Sequence, residues 1–270
     1  MLFKNTIFLL FVSFSFCDNI IAQNDYKNSI QKALNFFSTT KNEKFPTYNL
    51  RELLHYSIRN TSFSASVNLD SILIVRPIND DDVFVFDYYK RLHTNQNLPT
   101  TKKLKSTIDE IQDVDKAMLW AIYADKLPKN KAVEKYLHTL IDDSINIRQI
   151  AHAAMSLKWL ADISSQRKIK KYTLLRQKYI EICAKKIAII KPDTDSGMEG
   201  VFALLLLNEK SRIEKDLIAK IVAAQNADGG WSWNEEGFPA VSNEHTTILA
   251  IAILTLYAAD SQFAPAWVFK

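Results

Sequence analysis

From Ser106 onward the apolar positions of this chain recur at helical rather than alternating spacing, and the helical segments are of two kinds. Ala117 to Ala124, Ala151 to Ala161, Met198 to Leu207 and Thr246 to Ala259 are apolar on almost every side. Between them lie Lys131 to Asp142, Lys168 to Ala188 and Arg212 to Gln225, which are charged and amphipathic. A helix apolar all round must be covered all round, whereas an amphipathic one can face water, so the alternation predicts inner and outer helices. The inner landmarks Trp120, Trp159, Leu205 and Leu249 recur about every 40 to 48 residues, a helix-pair repeat period. Pro128 with Asn130, the run Asp193 to Gly197, and Asn208 to Ser211 read as breaks between helices, and seven helices are expected after Ser106.

The first hundred residues are different in pattern. Asp25 to Phe37 and Asn49 to Ile58 read as helices, and the β-branched and aromatic runs Ser71 to Val75 and Val83 to Tyr88, flanking Pro77 to Asp82, as a β-hairpin. Leu98 to Lys105, with Pro99 and three lysines, is the natural linker. The expected fold is therefore mainly α, an incomplete α/α toroid or helix-pair solenoid over 101–270, preceded by a small mixed segment over 23–100.

Residues 1–22 read as a signal peptide: Lys4, an apolar run from Ile7 to Phe16, and a small residue at Ala22 before Gln23. Cys17 raises a lipoprotein signal as the rival, but Phe16 stands where that processing site wants a small residue. The expectation is an exported product, periplasmic or extracellular, cleaved near Ala22 and not membrane-spanning, because no later apolar stretch reaches spanning length uninterrupted. Cleavage removes one base and one acid, leaving 33 basic and 29 acidic residues, a surplus too small to predict a nucleic-acid partner. Only Cys183 survives it, within an apolar helix face, so no intramolecular disulfide is expected and the thiol reads as packed and inert.

All five glycines lie at or after Gly197, which excludes a phosphate-cradling loop or a Gly-x-Ser-x-Gly elbow from most of the chain. The most specific run is Ile221-Val222-Ala223-Ala224-Gln225-Asn226-Ala227-Asp228-Gly229-Gly230-Trp231-Ser232-Trp233, followed by the apolar segment from Thr246. It resembles the Gln-Trp repeat of the squalene-cyclase and protein-prenyltransferase superfamily, whose fold is an α/α toroid. It is also similar to the corresponding helix pair in the thioester domain of bacterial α2-macroglobulins. The resemblance covers residues 212–259 well and 106–211 by helix alternation alone, and the front half of the repeat departs at Asp216, Leu217 and Lys220. Gln225, Gly229, Gly230 and Trp231 are read as a structural corner: two glycines for a sharp turn, Gln225 for open backbone groups, Trp231 stacked upon it.

The reactive elements that the resemblance implies do not carry over. The Asp-x-Asp-Asp acid of the protonating cyclases has only Asn79-Asp80-Asp81-Asp82 as a counterpart, in an expected turn. Cys183-Ala184-Lys185-Lys186 lacks the Glu and Gln that a Cys-x-Glu-Gln thioester needs. The Asp, Cys and His of a prenyltransferase zinc site have no supporting spacing, and His55, His93, His138, His152 and His245 form no ligand pattern, so no metal and no cofactor is expected. The catalytic residues, if any, stay unassigned.

The loop from Trp233 to His245 is the best candidate for ligand contact, through Trp233, Glu235, Glu236, Glu244 and His245, because loops at one end of a helical repeat are where ligands meet such proteins. Its bland alternative is helix capping by Ser242 or Asn243, with the acids near the positive end of the helix. The nine basic residues between Arg167 and Lys191 read first as a solvated outer face. The expected function is an exported, non-enzymatic binding or scaffold protein with an unidentified ligand or protein partner. The alternatives are an α/α-toroid lyase, hydrolase or cyclase acting on a polysaccharide or isoprenoid, and a degenerate relative or fragment of an α2-macroglobulin-like protein without thioester.

Overall fold

The structure, a computed structural model, describes residues 25–37, 39, 100–110, 113–127, 131–139, 146–163, 166–237 and 239–258. The expected signal peptide, the helix at 49–58, the hairpin and Asn79–Asp82 lie outside them. The described residues are mainly helical. Helix α1 covers 25–37, α2 Thr101–Glu110, α3 Asp113–Ile122, α4 Lys131–Thr139, α5 Ile147–Ile163, α6 Gln166–Ile187, α7 Asp195–Leu206, α8 Lys215–Ala223 and α9 Glu244–Ala258. Among the described residues the sheet structure is one short antiparallel ladder, β1 Trp231–Ser232 with β2 Ser242–Asn243. No described helix is long and apolar enough to cross a membrane.

The two kinds of helix separate as their sequences require. Every residue of α7 except the half-exposed Ser196 is buried, as is α9 from Thr246 to Leu256. In α3 and α5 the same holds for Ala117–Ile122 and Ala153–Leu160. The outer α6 buries one stripe, Tyr172, Leu175, Tyr179, Ile180, Cys183 and Ile187, and leaves Lys178 and Lys185 to solvent. Spacing of three and four residues puts that stripe on one face. The buried helices contact one another in succession, α3 with α5, α5 with α7 and α7 with α9, while α4 lies on α3, and α6 on α5 and α7. The outer helices are tied together as well: Tyr172 Oη donates to Glu134 Oε1 at 2.8 Å, and Tyr179 Oη donates to the Leu137 carbonyl.

Two local expectations are corrected. Residues 101–105 are helical rather than a linker, because Leu104 and Ile108, one turn apart, both bury against the rest of the protein. The break at Asp193 to Gly197 is shorter than its composition suggests. Thr194 is the N-cap, its Oγ1 accepting from Gly197 N at 3.0 Å, so Asp195 and Gly197 already belong to α7.

The Gln-Trp corner is a brace with its roles redistributed. Trp231, fully buried, donates its indole N–H to the Ile221 carbonyl in the last turn of α8 at 2.7 Å, meeting an acceptor that the helix end leaves open. The Gln225 amide instead donates to Gly229 O at 2.8 Å and to Ser29 O of α1 at 2.7 Å. Trp231 N donates to Thr247 Oγ1 at 3.0 Å, joining the corner to α9. The positive φ falls at Gly229 (92°) and not at Gly230, where a Cβ would meet Ser242 Cβ at 2.5 Å. One glycine is needed for backbone conformation and the other for room.

Candidate functional site

Ionisable side chains gather at the N-terminal ends of the buried helices. Asp115 stands near the start of α3, Arg148 and His152 at the start of α5, Asp195 and Glu199 at the start of α7, and His245 at the start of α9. Positions four apart share a helix face, so Arg148 projects beside His152 and Asp195 beside Glu199. These groups meet, so the N-terminal ends of α3, α5, α7 and α9 lie together.

Asp195 is the hub. Its Oδ2 lies 2.5 Å from Arg148 Nη2, and its Oδ1 lies 2.7 Å from both His245 Nδ1 and Thr246 Oγ1. Glu199 sits one turn deeper, with Arg148 Nε at 3.2 Å and His152 Nε2 at 3.3 Å from Oε2, and His245 Nε2 at 3.7 Å from Oε1. His152 Nδ1 in turn faces Asp115 Oδ1 at 3.7 Å. The two acids are sealed, with side chains 1% and 4% exposed, while Arg148 is 37% and His245 29% exposed. The cluster is therefore closed at Asp195 and Glu199 and open at Arg148, His245 and Asp115.

The charges hold one another in place. Burial works against the imidazolium of His152, but Glu199 and Asp115 outweigh it and take its pKa up to about 9. His245 is also raised, burial and Arg148 opposing, Asp195 and Glu199 prevailing. Asp195 is lowered despite its burial, by His245, Thr246 and Arg148. Arg148 is raised: burial opposes its charge, and Glu199, Asp195 and Glu235 overcome it. A buried carboxylate on its own would neutralise; paired and hydrogen-bonded, it stays ionised.

The loop residues expected to contact ligand are dispersed. His245 joins the network directly. Glu235 approaches as a helix cap, its Oε1 accepting from Ser196 N at 2.8 Å beside Arg148. Trp233 approaches through its backbone, whose carbonyl accepts from Asp195 N at 2.9 Å. Glu236 stays at the surface. Glu244 is buried, and burial pushes its carboxyl up to about 7. Asn243 is the cap of α9, its Oδ1 accepting from Thr246 N at 2.9 Å.

Asp115, Arg148, Asp195 and Glu199 went unread in the sequence, and His152 was read as part of no ligand pattern. The histidines do have a pattern, but a spatial one: His152 and His245, far apart in the chain, face the two oxygens of one carboxylate. Asp195, Glu199 and His245 each place a ligand-capable atom within 4.8 Å of the others. The signal available was ionisable pairs at i and i+4 opening segments otherwise apolar. Comparison with protein-family profiles, curated proteins and solved structures finds no match for this chain.

Proposed function

We propose that the chain is an exported binding protein, built as an incomplete α/α toroid, that takes a polar ligand at the N-terminal end of its inner helices. The observation that carries this reading is the network itself: three helices bring Arg148, Asp195, Glu199 and His245 to one point, and leave the two cationic side chains facing outward. The succession of contacts α3, α5, α7, α9, with α4 and α6 outside, supports the toroid. Export is supported by Lys4, the run Ile7 to Phe16, and Ala22.

Ionised groups at helix N-termini favour an anionic or hydroxyl-rich ligand over an isoprenoid, which needs an apolar wall. An acidic oligosaccharide is the class that fits best, with its carboxylate on Arg148. Titration calorimetry with acidic and neutral oligosaccharides and a prenyl alcohol tests this. Binding of the acidic sugar, weakened about tenfold or more in Arg148→Gln, is the expected result. Selective binding of the prenyl alcohol refutes it.

One observation favours a second reading, an enzyme. A buried carboxylate that orients an imidazole by its Nδ1, as Asp195 does His245, is the arrangement of a general acid-base pair. Product formation from the same oligosaccharides, lost in His245→Gln, would establish it over simple binding.

A further inference from the structure

We infer that Asp195, Glu199 and His245 form a binding site for a divalent first-row transition cation, for which Arg148 is the internal competitor. The inference rests on the binding reading above, since it uses the same end of the helix row.

Three atoms within 4.8 Å of one another are close to what one ion demands. Ligands at about 2.0 to 2.2 Å from a common metal lie at most roughly 4 Å apart, so closure needs side-chain rotation and no movement of α7 or α9. His245 Nε2 faces Glu199 Oε1 at 3.7 Å, beyond hydrogen-bond reach, and its Nδ1 bonds Asp195 Oδ1 at 2.7 Å, a bond that opens when Asp195 turns to ligate the ion.

A second observation points independently to a cation. Glu199 Oε2 is buried and makes no hydrogen bond, held by ion pairs alone with Arg148 Nε at 3.2 Å and His152 Nε2 at 3.3 Å. Ion pairs without hydrogen bonds recover only part of the cost of sealing a carboxylate oxygen from water, and a coordinated ion recovers more. Arg148 supplies positive charge to both carboxylates and His152 to Glu199, so an ion has to displace the more exposed of the two, Arg148. Its side chain is 37% exposed and can turn into solvent, leaving both carboxylates to the ion and its own guanidinium to the ligand. Two carboxylates with an imidazole suit Zn²⁺ or Mn²⁺, whereas Ca²⁺ and Mg²⁺ prefer an all-oxygen shell.

The experiment uses the full mature chain, stripped with a chelator, and measures Zn²⁺, Mn²⁺ and Ca²⁺ binding by calorimetry and by the rise in thermal midpoint. One Zn²⁺ per chain is expected, with Ca²⁺ inert. Arg148→Gln removes the competitor and should bind Zn²⁺ about tenfold tighter, while Glu199→Gln and His245→Gln lose about tenfold or more. His245→Gln changes the more exposed ligand, so it reports even where Glu199→Gln fails to fold. No Zn²⁺ binding by the parent and by Arg148→Gln overturns the inference, and so does Zn²⁺ binding unchanged in His245→Gln. The same Arg148→Gln chain is expected to lose the acidic sugar while gaining the metal, so failure of this inference and failure of the binding reading give different results.

Discussion

Asp195 and His245, 50 residues apart, meet at 2.7 Å between Oδ1 and Nδ1, and this contact ties the first turn of α7 to the first turn of α9. Asp195 also pairs with Arg148 of α5, so one buried carboxylate joins three helices at the same end. Breaking a buried pair from one side strands its partners in low dielectric and costs about 3 to 5 kcal/mol. Asp195→Ala should therefore lower the unfolding free energy read from a urea titration by up to that amount, since Arg148 and His245 are partly exposed. An unchanged midpoint would show that water compensates Arg148 and His245 freely.

The Gln-Trp corner predicts a stability defect of a different kind. Trp231→Ala deletes a fully buried indole and frees the Ile221 carbonyl, a loss of about 3 to 5 kcal/mol. Gly230→Val drives a branched side chain into Ser242 and Thr247. Gly237→Ala makes the contrast, because its Cβ would meet open space and only its φ of 84° resists, so about 1 kcal/mol is expected. Thermal midpoints should fall in the order Gly237→Ala above both corner variants.

Helix α1 should depend on that corner. Gln225 donates to Ser29 O, Lys32 O would lie 2.3 Å from a Cβ at Gly229, and Tyr26 meets Tyr257 edge-on with ring centres 6.2 Å apart. Gln225→Ala should lower hydrogen-exchange protection over 25–37 more than over α5. Equal protection in parent and variant would mean that the apolar face of α1, with Ile30 and Leu34, suffices alone.

Cys183 should be inert in the native chain. Its Sγ is buried 3.4 Å from the Gly200 carbonyl, and burial pushes the thiol up to about 12. Thiolate, the reactive form, is then negligible at pH 8. In a chain that begins at Gln23, and so lacks Cys17, a maleimide should label only after denaturant is added; rapid native labelling would contradict the packing of α6 on α7.

The alternation of inner and outer helices was legible because burial of a helix leaves its mark on every residue: Met198 to Leu207 and Thr246 to Ala259 admit almost no charge. The charged network was not legible, because its members come from four helices, and the two i, i+4 pairs, Arg148 with His152 and Asp195 with Glu199, do not show in the chain that they face each other. Asp195 was further hidden inside a run that looked like a helix break, Asp193 to Gly197, when Thr194 in fact starts the helix. His245 stood out in the sequence for the right loop but without its partner, since nothing in the chain near it identifies Asp195. Glu235 was singled out as a ligand group and serves as a cap on Ser196, a role fixed by how the loop returns to α7.

The measurement that bears most directly on the central claim is hydrogen exchange by mass spectrometry, with and without a saturating acidic oligosaccharide. The account predicts new protection over 146–152, 193–199 and 233–246, the segments that carry Arg148, Asp195, Glu199 and His245, and little change elsewhere. Bound oligosaccharide that instead protects α6, with its exposed Lys178 and Lys185, would contradict it and move the site to the outer basic face.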